Sequence, residues 1–257
     1  MPTEYHYGPS QSQVADLYLP DRQNPPVVAL LHGGFWKAPY GKDQMAPMAL
    51  DLCKREFAVW NIEYRRLGEA GGGWPGTLDD VVAAIAFLDE LANDAALPLN
   101  LGKFALIGHS AGGHLALACT SLKRRAWADR QPSSGVRLRA VLGLAAVTDL
   151  HAAFADNSGG GAVRSLLGGS PEDFPQRYAD ASPALLLPHR TREVLLHGIN
   201  DDAVPIAQSR QYAQEASYAG DDVEYLELSG VDHMAFLDPQ SSAHSAVCRK
   251  LCALFSP

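Results

Sequence analysis

The chain has 257 residues, of which 47% are hydrophobic, and its formal net charge is −8. This length suits one large domain with a sizeable core, so we expect a single domain over residues 1–257. The excess of acidic residues is spread along the chain. The net negative charge disfavours nucleic acid or an anionic membrane surface as a partner. Neither a signal peptide nor an apolar run of membrane-spanning length is evident, so the expected location is cytoplasmic.

Apolar runs alternate with helical patterns along the chain. The run "QVADLYL" alternates as an edge strand would, whereas "VVALLHGG" is continuously apolar, which is typical of a strand covered on both faces. The segment "TLDDVVAAIAFLDELAND" has helical periodicity, with Thr77 as its expected N-cap. The alternation predicts an α/β fold with a mostly parallel central sheet and helices on both faces. The predicted strands are 13–19, 27–34, 57–65, 104–108, 140–146, 193–198 and 223–228, and the predicted helices are 77–94, one beginning near Gly112, 205–219 and 239–255.

Residues 150–190 interrupt this alternation. They contain "ADNSGGGAVRSLLGGSPEDFP", which is rich in Gly, Ser and Pro. We expect a small insertion over the carboxyl edge of the sheet, where ligands bind in open α/β folds. No long lid is apparent, which predicts an open pocket.

The pattern G-x-S-x-G occurs where a predicted strand meets a predicted helix. Gly108-His109-Ser110-Ala111-Gly112 has the form of a nucleophile elbow. Glycines on both sides of the serine let the strand and the helix pack closely. The hydroxyl is then presented at a helix N-terminus, where the helix dipole favours negative charge. We therefore expect Ser110 to be a nucleophile.

A serine hydroxyl needs a general base, and in such elbows the chain order is Ser, then Asp or Glu, then His. Asp201 and Asp202 follow the strand predicted over 193–198, and His233 follows the last predicted strand. The register with Val204-Pro205 favours Asp201 as the acid. Asp202 stays open as an alternative, as does Asp149, which also follows a strand.

The segment "LHGGFWK" follows the strand predicted over 27–34 and is the expected oxyanion loop. Gly33 and Gly34 allow backbone N–H groups to turn toward a developing oxyanion. We expect one donor at Gly34 or Phe35 and a second at Ala111, directly after the nucleophile. Aromatic groups near the site favour an aryl or apolar substrate. The expected substrate-binding residues are Phe35, Trp36, Tyr64, Trp74 and Met234.

Neither a metal nor a cofactor is expected. His109 and His114 are five apart and lack a carboxylate at zinc-ligand spacing. Cys248 and Cys252 are four apart, without the further Cys or His that a zinc site needs.

Together these segments resemble the α/β-hydrolase fold. "HGGFW", "EYR", "GWPGTLDDV", "GHSAGGHLA" and "HGINDDAVP" resemble its esterase–arylformamidase branch, which includes kynurenine formamidases, carboxylesterases related to hormone-sensitive lipase, and feruloyl or acetyl-xylan esterases. The resemblance implies a triad of Ser110, Asp201 and His233 and an oxyanion loop at Gly33 and Gly34. Phe35 stands where hormone-sensitive-lipase relatives usually carry a third glycine. In this respect the sequence is closer to the formamidases.

The expected function is hydrolysis of small or aryl carboxylic esters through an acyl-enzyme on Ser110. The alternative is an arylformamidase that hydrolyses N-formylkynurenine. A non-catalytic ligand-binding relative would be expected to have lost a triad member, and none is missing here. The expected partner is a small ester or formamide, and a homodimer is left open.

Overall fold

The computed structural model describes residues 1–92, 97–129 and 135–255. Its centre is a sheet of eight strands: β1 (Thr3–His6), β2 (Val14–Tyr18), β3 (Pro26–Leu31), β4 (Ala58–Ile62), β5 (Asn100–His109), β6 (Leu138–Leu144), β7 (Arg192–Gly198) and β8 (Val223–Leu228). Their order across the sheet is β1-β2-β4-β3-β5-β6-β7-β8. The pairs β1-β2 and β2-β4 are antiparallel, and every later pair is parallel.

Helices cover both faces of this sheet. Alternate side chains of β3 belong to two different cores: Val27 and Ala29 to one, Val28 and Leu30 to the other. The described helices are α1 (Ala46–Lys54), α2 (Gly76–Ala92), α3 (Ala111–Asp129), α4 (Leu150–Ala155), α5 (Ala162–Leu167), α6 (Pro175–Ala181), α7 (Ala207–Tyr218) and α8 (Ser242–Phe255). Helices α2, α3 and α7 contribute to the first core, and α1 and α8 to the second. The predicted α/β-hydrolase fold is confirmed.

Two expectations about local structure are wrong. The strand β2 is not at the edge, because β1 pairs with it and all five of its residues are buried. Thr77 is not the N-cap of α2, which begins one residue earlier. Its hydroxyl instead donates to the carbonyl of Arg65 (2.6 Å) and accepts from the N–H of Gly73 (3.0 Å), so it closes the preceding loop.

Residues 150–190 contain α4, α5 and α6, followed by a short 3-10 turn over Pro183–Leu186. The segment is docked against the rest of the chain, because Tyr178 is fully buried within it. Hydrogen bonds attach it to other parts of the fold, among them those from Lys37 Nζ to the Gly159 carbonyl (2.7 Å), from the Trp74 N–H to the Leu166 carbonyl (2.8 Å), and from His114 Nε2 to the Ala181 carbonyl (3.0 Å).

No helix in the described ranges combines the length and the apolar character that crossing a membrane would require.

Candidate active site

The serine of the G-x-S-x-G pattern lies in the turn between β5 and α3. Ser110 has a left-handed backbone conformation, with φ of +56°. A Cβ atom on Gly112 would lie 2.2 Å from the carbonyl oxygen of Leu31, and one on Gly108 would lie 2.1 Å from the carbonyl oxygen of Gly112. Both glycines are needed because β3, β5 and α3 meet backbone to backbone. This close packing fixes the position of Ser110 at the carboxyl edge of the sheet.

Asp201 and His233 meet at the same edge, after β7 and β8. The Nδ1–H of His233 donates to Asp201 Oδ2 at 2.7 Å. The other oxygen, Asp201 Oδ1, accepts from the N–H groups of Ala203 (2.9 Å) and Val204 (2.8 Å). Burial acts to raise the pKa of Asp201, but hydrogen bonds from His197 and His233 outweigh it and hold the pKa well below its usual range. The carboxylate is therefore ionised and oriented toward the imidazole.

The two alternative acids have other surroundings. Asp149 is the N-cap of α4 and accepts from the N–H groups of His151 (2.8 Å) and Ala152 (3.3 Å). Asp202 is exposed to solvent. Among the described residues, the carboxylate paired with the His233 ring is that of Asp201.

His109, the residue before the serine, connects the elbow to the loop of His233. Its Nε2–H donates to the carbonyl of His233 at 2.9 Å, and the two rings are 4.6 Å apart. In the described residues no hydrogen bond joins Ser110 Oγ to the His233 ring, a contact that often tightens only when substrate binds. The sequence analysis missed the contact of His109 with the loop of His233, because only the serine and the glycines define the G-x-S-x-G pattern.

Because His109 and His114 are buried, we expect the protein to lose stability in acid. Burial lowers the pKa of His109 to about 3 and of His114 to about 4, whereas an unfolded histidine has a pKa of about 6.5. As pH falls from about 6.5 to about 4, these two residues therefore bind up to two more protons in the unfolded chain than in the folded chain. We expect the free energy of unfolding to fall by about 1.4 kcal/mol per pH unit for each proton.

Urea unfolding at about pH 7 and about pH 5 measures this dependence. The variant His114→Gln removes one of the two groups, so its stability is expected to change less between these pH values. An unchanged dependence in the variant would contradict the assignment to His114.

The expected oxyanion loop lies beside the serine. A Cβ atom on Gly33 would lie 3.1 Å from the Cβ of Ser110. The next three residues, Gly34, Phe35 and Trp36, all have left-handed φ values, of +95°, +51° and +58°. Ala111 is the first residue of α3, so its N–H has no acceptor within the helix. The expected oxyanion loop and the start of α3 therefore both lie next to the side chain of Ser110.

Two of the expected substrate-binding residues are core residues, so this part of the prediction is wrong. Trp36 and Tyr64 are both 0% exposed. The Trp36 ring packs edge-on against His114, with ring centres 5.1 Å apart. Tyr64 stacks on His32 at 4.2 Å and donates its hydroxyl to the His32 carbonyl at 2.8 Å. Neither ring presents a surface to a ligand.

The remaining pocket candidates keep some exposure. Phe35 and Trp74 are partly buried, and Met234 is 52% exposed. The expected open mouth is not seen at Ser110, which is 1% exposed. Access from solvent to this side chain is therefore restricted.

Three side chains with potential metal-ligating atoms lie together where α1 meets α8. The ligand atoms of Asp51, His244 and Cys248 lie within 4.8 Å of one another. Sequence analysis overlooked His244, which stands one helical turn before Cys248. Asp51 Oδ2 already accepts from Arg55 Nε at 2.6 Å and lies 2.8 Å from His244 Nε2. These hydrogen bonds satisfy the carboxylate and account for the cluster.

Comparison with known proteins identifies the family. Residues 15–215 match the family described as BD-FAE. The chain belongs to the BD-FAE family. The resemblance to esterases and formamidases of α/β-hydrolase type is confirmed.

Among curated proteins, this BD-FAE chain is 26% identical to the isoprenylcysteine alpha-carbonyl methylesterase of Arabidopsis thaliana, over 88% of the chain and 55% of the relative. It is 22% identical to the kynurenine formamidase of Danio rerio, over 90% of the chain and 74% of the relative. It is 26% identical to a probable carboxylic ester hydrolase of Mycobacterium tuberculosis, over 86% of the chain and 52% of the relative. The chain thus spans about half the length of two of these relatives.

Solved structures share the fold at low sequence identity. Esterase B from Lactobacillus rhamnosis superposes with a TM-score of 0.80 and 19% identity, covering 98% of this chain and 84% of that one. A truncated carbohydrate esterase from gut microbiota has a TM-score of 0.79 and 20% identity, covering 98% of this chain and 96% of that one. At this identity the likeness concerns the fold.

Proposed function

We propose that this BD-FAE chain is a serine hydrolase that cleaves small or aryl carboxylic esters through an acyl-enzyme on Ser110. One observation carries the proposal: His233 Nδ1 and Asp201 Oδ2, hydrogen-bonded at 2.7 Å, lie at the sheet edge that holds the left-handed serine. A base oriented by a buried carboxylate beside a strained serine is the arrangement that activates a hydroxyl for acyl transfer.

The reaction follows from these positions. The Ser110 oxygen attacks the acyl carbon while Nε2 of His233 takes the hydroxyl proton, and Asp201 stabilises the resulting imidazolium. Backbone N–H groups of Gly34 or Phe35 and of Ala111 donate to the oxyanion. When the tetrahedral intermediate collapses, His233 gives the proton to the leaving alcohol. Water then attacks the acyl-enzyme, with His233 as base, and releases the carboxylic acid.

The curated relatives support an ester as the substrate, since two of them are named as a methylesterase and as a probable carboxylic ester hydrolase. Hydrolysis of p-nitrophenyl acetate by the purified chain, and its loss in Ser110→Ala, is the experiment that tests the proposal.

We expect esters with long acyl chains to be hydrolysed no faster than esters with short ones. A fully buried methylene would contribute about 0.8 kcal/mol, but Ser110 is only 1% exposed, so we expect a long acyl chain to be hindered from reaching it. The measurement is kcat/KM for p-nitrophenyl esters from acetate upward, with acetate and butyrate expected to be the best substrates. A preference for acyl chains longer than about ten carbons would contradict a small acyl site.

The second candidate function is hydrolysis of N-formylkynurenine. It is favoured by the likeness to a kynurenine formamidase over 90% of this chain. The measurement is the ratio of kcat/KM for N-formylkynurenine to that for the best aryl ester. A formamide is intrinsically less reactive than an activated ester, so comparable values would indicate a site built for the amide and would displace the esterase proposal. A formamide rate near background would remove the second candidate.

A further inference from the structure

The loop between α4 and α5 touches the residue expected to supply an oxyanion donor. Lys37 Nζ donates to the carbonyl oxygen of Gly159 at 2.7 Å. A Cβ atom on Gly159 would lie 2.4 Å from the nearest atom of the Phe35 ring. The ring of Phe35 therefore rests on the backbone of Gly159, with no room for a side chain between them.

This contact matters because Phe35 has an unfavourable backbone conformation. Its φ of +51° is rare for a bulky residue, and such a conformation persists only when the surroundings hold it. The neighbouring Trp36 is fully buried, and its carbonyl accepts from the N–H of Leu67 at 2.7 Å. The N–H of Lys37 donates to the carbonyl of Gly34 at 3.0 Å. The Phe35 ring itself lies against Gly159, whose carbonyl accepts from Lys37 Nζ.

We propose that Gly159 and Lys37 are positioning residues that hold the oxyanion loop in its left-handed conformation. They act through Phe35, whose backbone they keep beside Ser110, and they do not touch the substrate themselves. This inference rests on the proposed function. Because an oxyanion donor acts mainly in the transition state, a displaced loop is expected to lower kcat more than it changes KM.

The chain supplies a matched pair of substitutions for the test. Gly159 and Gly160 are neighbours with similar left-handed φ values of +66° and +59°, so alanine strains the backbone at either position. A Cβ atom on Gly160, however, meets nothing within 4 Å. We expect Gly159→Ala to lower kcat for p-nitrophenyl acetate by about 10-fold to 100-fold, less than loss of a whole oxyanion donor. We expect Gly160→Ala to stay within about two-fold of the parent, because it adds strain without the clash.

Two further comparisons separate positioning from general damage. In a Phe35→Ala background the ring that would clash with the new Cβ atom is absent. Adding Gly159→Ala is therefore expected to lower kcat only a little further, and a double-mutant cycle measures this difference. Lys37→Met removes the hydrogen bond to the Gly159 carbonyl and is expected to lower kcat, whereas Lys37→Arg keeps a donor and is expected to restore most of it. Thermal unfolding of each variant reports whether the fold is retained.

The outcomes are distinct. Equal kcat values for Gly159→Ala and Gly160→Ala, or an undiminished cost of Gly159→Ala in the Phe35→Ala background, would overturn the inference. Ser110→Ala, measured in parallel, tests the proposed function separately. If it is inactive while the two glycine variants are equal, only the positioning role fails. If it retains full activity, the proposed function fails.

Discussion

Replacing Ser110 by alanine is expected to abolish ester hydrolysis, with a loss on the order of 10⁴-fold or more in kcat, as found when members of such triads are removed. The physical reason is that the proposed acyl-enzyme forms on the Ser110 oxygen, which alanine lacks. A fluorophosphonate probe is expected to label the parent chain once, at Ser110, and not to label the variant. Mass spectrometry of the labelled peptide identifies the site.

A second buried serine provides the control. Ser182 is also fully buried, and its hydroxyl accepts from the N–H of Leu150 at 3.0 Å, far along the chain from the elbow. Ser182→Ala is expected to change stability but to leave the labelling at Ser110. Labelling at any other residue, or full turnover by Ser110→Ala, would refute the serine-hydrolase mechanism.

Replacing Asp201 by asparagine is expected to lower kcat by about 10⁴-fold without unfolding the chain. An asparagine oxygen can still accept from the N–H groups of Ala203 and Val204, which keeps the loop in place. An amide NH₂ facing Nδ1 of His233, however, favours the tautomer that carries its proton on Nε2. That tautomer cannot take the proton of Ser110. Steady-state kinetics with p-nitrophenyl acetate and far-ultraviolet circular dichroism measure the two effects.

Asp202→Asn is the matched control, since it makes the same chemical change one residue further along the chain. Asp202 is exposed, so this variant is expected to be nearly as active as the parent chain. A strong loss in Asp202→Asn together with a mild one in Asp201→Asn would reverse the assignment of the acid.

Local patterns in the sequence were enough to predict most of the sheet. The strands β3 to β7 each contain a predominantly apolar run, because a strand covered on both faces needs apolar side chains in both directions. The edge strand β8 instead alternates and is only partly buried. The elbow was equally visible, since a left-handed serine packed between three backbone segments requires glycine at 108 and 112. The roles of Ser110, Asp201 and His233 in catalysis stay predictions.

Packing partners distant in the chain were not visible in these patterns. An aromatic residue near a motif has the same local signature in a core as in a pocket, so Trp36 and Tyr64 were placed wrongly. The antiparallel strand β1 was missed because pairing with β2, not its own short sequence, makes it a strand.

The sequence by itself determined the fold class, the position of the elbow and the order of the candidate catalytic residues, because hydrophobic period and glycine spacing are properties of adjacent residues. The register favoured Asp201, but only the tertiary structure decided that Asp201 rather than Asp149 or Asp202 pairs with His233, because the direction in which a carboxylate points depends on the folded loops. It also decided the contact of Phe35 with Gly159, because two loops more than a hundred residues apart meet only when the chain has folded.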